Sequence, residues 1–179
     1  SSGGGALICH NKEDALRAKF LSTQARDPAP HYQHTALGFN YRMSNVCAGI
    51  GRGQLKVLKE HVRARRENFS KYRKSIIDPE GLDFQNEPPD CFSNRWLTAA
   101  LFDSYEAREK IRLALELKNI ESRPIWKPMH LQPFYEASES VISGVSDDIF
   151  TRGVCFPSGS DLNSEDLERV VSVIGKEII

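Results

Sequence analysis

Asn40 and Arg42 stand two residues apart in the stretch Leu37-Gly38-Phe39-Asn40-Tyr41-Arg42-Met43-Ser44-Asn45. Asn40 brings an amide that donates and accepts, and Arg42 brings five donors in a fixed fork suited to phosphate or carboxylate. If this short piece is extended, the two residues share a side. Gly38 allows a tight entry through its φ freedom, and Ser44 or Asn45 can cap the helix that follows. An ordinary helix cap with exposed polar residues accounts for the same stretch, and the residues alone leave both readings open.

Other residues that could do chemistry are sparser. His130 lies in the turn Pro128-Met129-His130-Leu131-Gln132-Pro133, stiffened by its prolines, and an imidazole can hydrogen-bond in either protonation state. Trp126 precedes it. Core packing for Trp126 and a plain surface turn for His130 are the structural alternatives. His31 and His34 are three apart, but no Cys or acidic cluster joins them into a metal set. Cys9, Cys47, Cys91 and Cys155 are too far apart for zinc or redox pairing. Gly49, Gly51 and Gly53 alternate within a helical pattern, where each costs roughly 1 kcal/mol against alanine. They follow a polar turn and not a buried strand, which excludes a dinucleotide-binding loop.

The elements that must position these residues follow from periodicity. Ala6 to His10 predicts a buried strand. Asn11 caps a helix whose apolar face is Ala15, Leu16, Phe20 and Leu21, ending before Asp27-Pro28. A long helix is expected from Asn45 to Ile77, with Cys47, Ile50, Leu55, Leu58, Val62, Phe69, Tyr72 and Ile76 as one apolar stripe. Its other face is basic, from Arg52 to Lys74, and reads as a solvated surface meeting the acidic residues of the next segment. That segment, residues 78–94, contains Pro79, Gly81, Pro88 and Pro89 and reads as a linker. Beyond it, strands at Trp96–Phe102 and Ile120–Trp126 flank a helix capped by Ser104; a short helix near Phe134–Ala137, a short buried segment at Val154–Gly159 that ends in a turn, and a final helix capped at Ser164 without a capping box follow. Val170, Val171, Ile174 and Ile178 form the core side of that final helix. The expected organisation is therefore α/β, with residues 1–77, a linker at 78–94 and a small domain at 95–179.

The 179 residues carry 24 basic and 24 acidic side chains, so no overall charge favours nucleic acid or membrane. No apolar run approaches the roughly 20 residues that span a bilayer. No basic-then-apolar leader opens the sequence. A cytoplasmic protein with no nucleic-acid or membrane partner is expected. Ser1-Ser2-Gly3-Gly4-Gly5 runs straight into the predicted strand, which suggests a fragment.

Gly38-Phe39-Asn40-Tyr41-Arg42-Met43-Ser44, Ala48-Gly49-Ile50-Gly51 and Gln54-Leu55 resemble the sugar aminotransferases of the DegT/StrS family. Arg123 to Pro133 and Phe156-Pro157-Ser158-Gly159-Ser160-Asp161-Leu162 are similar to its branch that aminates UDP-4-keto-6-deoxy-N-acetylhexosamines on the way to bacillosamine-type sugars. The likeness covers nearly the whole chain, and Gly53 departs from it where the family more often has alanine or a larger residue. It implies the aspartate-aminotransferase fold, with the end of the large domain followed by the small one, and pyridoxal 5'-phosphate as cofactor. It also implies glutamate as amino donor and a homodimer with shared active sites. By this resemblance Asn40 reaches the cofactor phosphate of the other subunit, Arg42 is a second donor or a substrate contact, and Trp126 and His130 border the nucleotide-sugar pocket.

The Schiff-base lysine is expected just upstream of Ser1, so no catalytic residue is assigned within the chain and the piece alone is expected to be inactive. Two alternatives remain. A sugar 3-dehydratase of the same family has histidine in place of that lysine, and a non-catalytic helical module would dock an acidic partner through its basic helix.

Overall fold

The structure is a computed structural model that describes residues 3–76 and 81–178, the last by its backbone. Ile77, Asp78, Pro79 and Glu80, and the side chain of Ile178, lie outside the described residues, and with them the expected helix end and one expected core position. The chain forms two compact units, residues 1–58 and 59–179. The boundary between these units falls inside a helix.

In the first unit, α1 spans Lys12–Ser22. Asn11 caps it: its side chain accepts from the Asp14 N–H at 2.8 Å and donates to the Asp14 carboxylate at 2.8 Å. Glu13 and Asp14 in the first turn and Lys19 in the last match the helix dipole. After Thr23 the chain reverses through Gln24 (φ 69°) and Ala25 (φ 47°), both left-handed. Such a conformation strains residues with a Cβ, and a set of hydrogen bonds holds it. Ala25 N donates to Phe20 O at 2.9 Å, Gln24 N to Phe39 O at 3.0 Å, and His34 Nδ1 to Gln24 O at 2.9 Å.

The expected strand at Ala6–His10 is absent, and Leu7 and Ile8 are 75% and 93% exposed. An apolar run becomes a strand only when a neighbour takes its backbone groups, and none of the described strands pairs with it. Nor does α1 bury its apolar face: it has no buried residue, and Leu16 is exposed.

Helix α2, Asn45–Ser75, is the long helix the periodicity predicted. Ser44 begins it, its hydroxyl accepting from the Cys47 N–H at 3.2 Å. The predicted stripe is buried at Phe69 and Tyr72, whereas Ile50, Leu55 and Leu58 are exposed. Helical spacing identifies a face; it does not say what covers it.

The second unit is an antiparallel sheet ordered β1-β2-β4-β3, from Leu82–Phe84, Thr98–Phe102, Arg123–Pro124 and Gly153–Phe156. The register pairs Leu82 with Phe102 and Thr98 with Phe156. Residues 82–84, expected in a linker, are thus an edge strand. Three helices accompany the sheet: α3 (Tyr105–Glu116), α4 (Val145–Arg152) and α5 (Ser164–Ile178). Helix α4 was not expected from the residue pattern. Single 3-10 turns at Met129–Leu131 and Pro133–Tyr135 replace the expected short helix.

Along β2, Thr98, Ala100 and Phe102 are buried while Ala99 and Leu101 are half-buried, the alternation of a sheet covered mainly on one face. That covered face packs with Ile111 and Leu115 of α3, Leu167, Val170 and Ile174 of α5, and Tyr72 of α2. Ser104 caps α3 as expected, accepting from the Ala107 N–H at 3.1 Å. The cap of α5 is Asn163 and not Ser164: Asn163 Oδ1 accepts from Asp166 N at 2.9 Å, and Asp166 Oδ2 accepts from Asn163 N at 3.2 Å. A reciprocal capping pair therefore exists one residue earlier than the sequence reading placed the cap.

Candidate functional site

In the first unit, the segment carrying Asn40 and Arg42 is tied to the end of α1 by Phe39 N donating to Leu21 O (2.8 Å) and Tyr41 N to Ser22 O (3.0 Å). Thr23 and Asn40 form an isolated antiparallel bridge. Gly38 is required by space and not by φ: a Cβ there would lie 2.3 Å from Ala25 N and from Gln24 C. Phe39 and Tyr41 stack at 5.1 Å between ring centroids. Asn40 and Arg42 are exposed, and neither side chain is hydrogen-bonded among the described residues. They are uncommitted donors on a fixed backbone. Nearby, hydrogen bonds from Ser44 and the Gly3 amide draw the Cys47 thiol below its ordinary range.

In the second unit, Trp126 stacks on Trp96 with centroids 5.8 Å apart and planes 25° from parallel. Both rings stay exposed, at 63% and 59%. They border a cleft of about 670 Å³ whose wall includes Ser122, Arg123, Cys155 and Ser158. Burial pushes the Cys155 thiol up, which keeps it protonated and inert. Arg123 is exposed and paired with Glu121 at 2.5 Å. An exposed aromatic pair at the edge of a cleft suits stacking on a flat ring.

The loop after β4 is held by one face of α2. His61 Nδ1 hydrogen-bonds Ser160 Oγ at 2.6 Å, and Arg65 Nη1 donates to Ser158 O at 3.0 Å. Asn68 Nδ2 donates to Gly159 O at 2.8 Å, and the Tyr72 hydroxyl to Pro157 O at 2.9 Å. Residues 61, 65, 68 and 72 are spaced as helical neighbours on one side. The same helix faces a second polar centre: Glu87 accepts from Arg66 at 2.8 and 3.1 Å and lies 3.6 Å from Arg95. Those contacts, with the Ser93 N–H, hold the Glu87 carboxyl at about 2. Arg65 and Arg66, read from sequence as part of a solvated basic surface, are therefore half-buried structural donors. Of the described acidic residues in 81–94, Glu87 is the one that pairs with α2.

A model of the DegT/DnrJ/EryC1/StrS aminotransferase family matches residues 1–175. The chain belongs to this family. EpsN of Bacillus subtilis (strain 168) is 41% identical over 178 residues, covering 97% of this chain and 46% of EpsN. GDP-perosamine synthase of Escherichia coli O157:H7 is 31% identical over 169 residues, covering 93% of this chain and 45% of that protein. The aminotransferase TlmJ from Streptoalloteichus hindustanus shares the fold at a TM-score of 0.85 and 24% identity, over 94% of this chain and 46% of TlmJ. The chain thus spans about half the length of the curated relatives it matches. Its α/β architecture, an open four-stranded antiparallel sheet with flanking helices, is that of the DegT/StrS fold.

Pyridoxal phosphate is the cofactor of the DegT/StrS family, and the residues present fit its phosphate. Asn40 and Arg42 offer amide and guanidinium donors with no competing partner among the described residues.

Among the described residues, Trp126 and His130 border different hollows. His130 borders a separate hollow of about 270 Å³ with Tyr135 and Ser138, and its Nε2 lies 2.7 Å from Asp147 Oδ1, off the direction of an aligned hydrogen bond. The sequence reading missed Trp96 as the partner of Trp126 because it assigned that residue to a strand. It also missed the polar stripe of α2, whose spacing was legible. Among the described residues no helix is long and apolar enough to cross a membrane, and no three metal-ligating side chains cluster.

Proposed function

We propose that a protein containing this chain is a pyridoxal-phosphate-dependent sugar aminotransferase. Its acceptor is a nucleotide-linked 4-keto-6-deoxy sugar, specifically a UDP-4-keto-6-deoxy-N-acetylhexosamine, and its donor is glutamate. The observation that carries the reading is the pair of uncommitted phosphate donors, Asn40 and Arg42, on a braced segment in a member of this family. Two relatives are named for nucleotide sugars, GDP-perosamine synthase and dTDP-4-amino-4,6-dideoxy-D-glucose transaminase, which supports a nucleotide-linked acceptor.

Bound pyridoxal phosphate supplies the electron sink for moving the amino group. Asn40 would bind the cofactor phosphate across a homodimer interface, and Arg42 would add a second donor or contact the acceptor. Trp126, with Trp96, would stack the flat base of the nucleotide, and His130 would hydrogen-bond a sugar hydroxyl or diphosphate oxygen. The lysine that anchors the cofactor is proposed to be supplied from outside these 179 residues, because none of Lys12, Lys19, Lys56 or Lys127 occupies the family's motif position.

Separating the half-reactions tests the reading. In the full-length protein, Trp126→Ala is expected to slow amino transfer to the nucleotide sugar and leave the glutamate half-reaction nearly unchanged, since glutamate has no base to stack. Equal damage to both half-reactions refutes the assignment of the cleft to the nucleotide sugar.

A further inference from the structure

The two walls of the cleft beside the tryptophan pair come from distant parts of the second unit, and one side chain joins them. Arg65 Nη1 donates to Trp96 O at 2.5 Å and to Ser158 O at 3.0 Å. One NH₂ group thus serves two carbonyls with its two hydrogens.

Trp96 needs such an anchor. It follows Arg95, which is left-handed at φ 49°, and its N–H is held by the side chain of Asn94 at 3.0 Å. Its ring is 59% exposed, so burial alone does little to fix it. The other members are held independently. Trp126 follows Ile125, whose N–H donates to Gly153 O of β4 at 3.1 Å. Ser158 is buried, its hydroxyl accepting from Thr98 N and donating to Phe156 O, each at 2.7 Å. Arg65 therefore links the least secured wall of the cleft to a fixed loop and to a long helix.

We propose that Arg65 is a positioning residue for the ligand cleft: by holding Trp96 O and Ser158 O together it keeps Trp96 stacked on Trp126, and so maintains the aromatic wall that grips the nucleotide. The ligand part of this inference rests on the function proposed above; the stacking part does not. A lysine at position 65 presents a point charge on a flexible stem and cannot reproduce the planar, pre-oriented donor.

The test uses the full-length protein and the Arg65→Met and Arg65→Lys variants. Stacked indoles couple their excited states and give an exciton couplet in circular dichroism. Subtracting the spectrum of Trp126→Phe isolates the contribution of this pair. Uridine diphosphate and guanosine diphosphate are titrated in parallel as probes.

Arg65→Met is expected to lose most of the couplet and to weaken binding of the preferred nucleotide about tenfold, the scale of one lost base–aromatic stack. Arg65→Lys should fall between it and the wild type, and it carries the test if Arg65→Met does not fold. A couplet retained in the folded variants overturns the positioning role. So does a lost couplet with nucleotide affinity unchanged, because the stack would then not serve the ligand. If the wild type binds neither nucleotide but the couplet still depends on Arg65, the nucleotide-sugar reading fails while the stacking role stands.

Discussion

Replacing Gly38 by alanine should loosen the segment that presents Asn40 and Arg42 without disturbing the sheet. The new Cβ would lie 2.3 Å from Ala25 N and from Gln24 C, and 2.7 Å from Ala25 Cβ. Two of those atoms are backbone in a left-handed turn, so neither can rotate away. Relief requires the segment to move, which breaks the bonds Phe39 N to Leu21 O, Gln24 N to Phe39 O and Tyr41 N to Ser22 O. At a net value of about 1 kcal/mol each, with overpacking of about 1–3 kcal/mol as the limit on strain, the local destabilisation is about 2–4 kcal/mol. Hydrogen exchange should therefore accelerate about thirty- to a thousandfold at Gln24, Phe39 and Tyr41. Amides of β2 and β4, in the other unit, should keep their protection. Ala25→Gly removes one of the three close atoms and leaves the backbone ones, so the double variant should remain loosened. Unchanged protection at Phe39 and Tyr41 in Gly38→Ala, or equal loss in the sheet, would refute the reasoning.

In the full-length protein, Asn40→Ala should raise the cofactor dissociation constant roughly ten- to a hundredfold, from a lost charge-assisted bond of about 1.5–3 kcal/mol; equilibrium dialysis of the cofactor measures it. If Asn40 acts across a dimer, mixing this variant with a cofactor-lysine variant should restore activity in the hybrids, and hybrids without recovery would place it in its own subunit's site. His130→Ala should raise KM for the nucleotide sugar and spare the glutamate half-reaction, measured by stopped-flow absorbance of each half. Glu87 is lowered from 4.5 to about 2 by Arg66 foremost, so its stabilising effect is complete above pH 4.5 and is lost as pH falls through 2. The denaturation gap between wild type and Glu87→Gln should be constant above pH 4.5 and close toward pH 2. Tyr72→Phe removes the hydroxyl that serves Pro157 O and should cost about 1–2 kcal/mol in chemical denaturation.

Local chemistry was legible in the sequence wherever the responsible groups are neighbours along the chain. The Asn11 cap, the Ser104 cap and the course of α2 need only a few adjacent residues, and the motifs around Asn40 and Phe156–Leu162 were sufficient to point to the family. What depended on distant groups was not legible. Ala6–His10 has the composition of a strand, but a strand exists only where another segment takes its hydrogen bonds. Residues 82–84 lie in a proline-rich, acidic stretch, yet pairing with Phe102 and Ala100 makes them a sheet edge. Gly38 was read as a need for φ freedom, and the cause is the turn at Gln24–Ala25 pressed against it. Arg65 and Arg66 look like surface charge in a list of residues. Tertiary structure brought Ser158, Trp96 and Glu87 to them, and a guanidinium facing carbonyls and a carboxylate becomes a structural donor instead of a solvated charge.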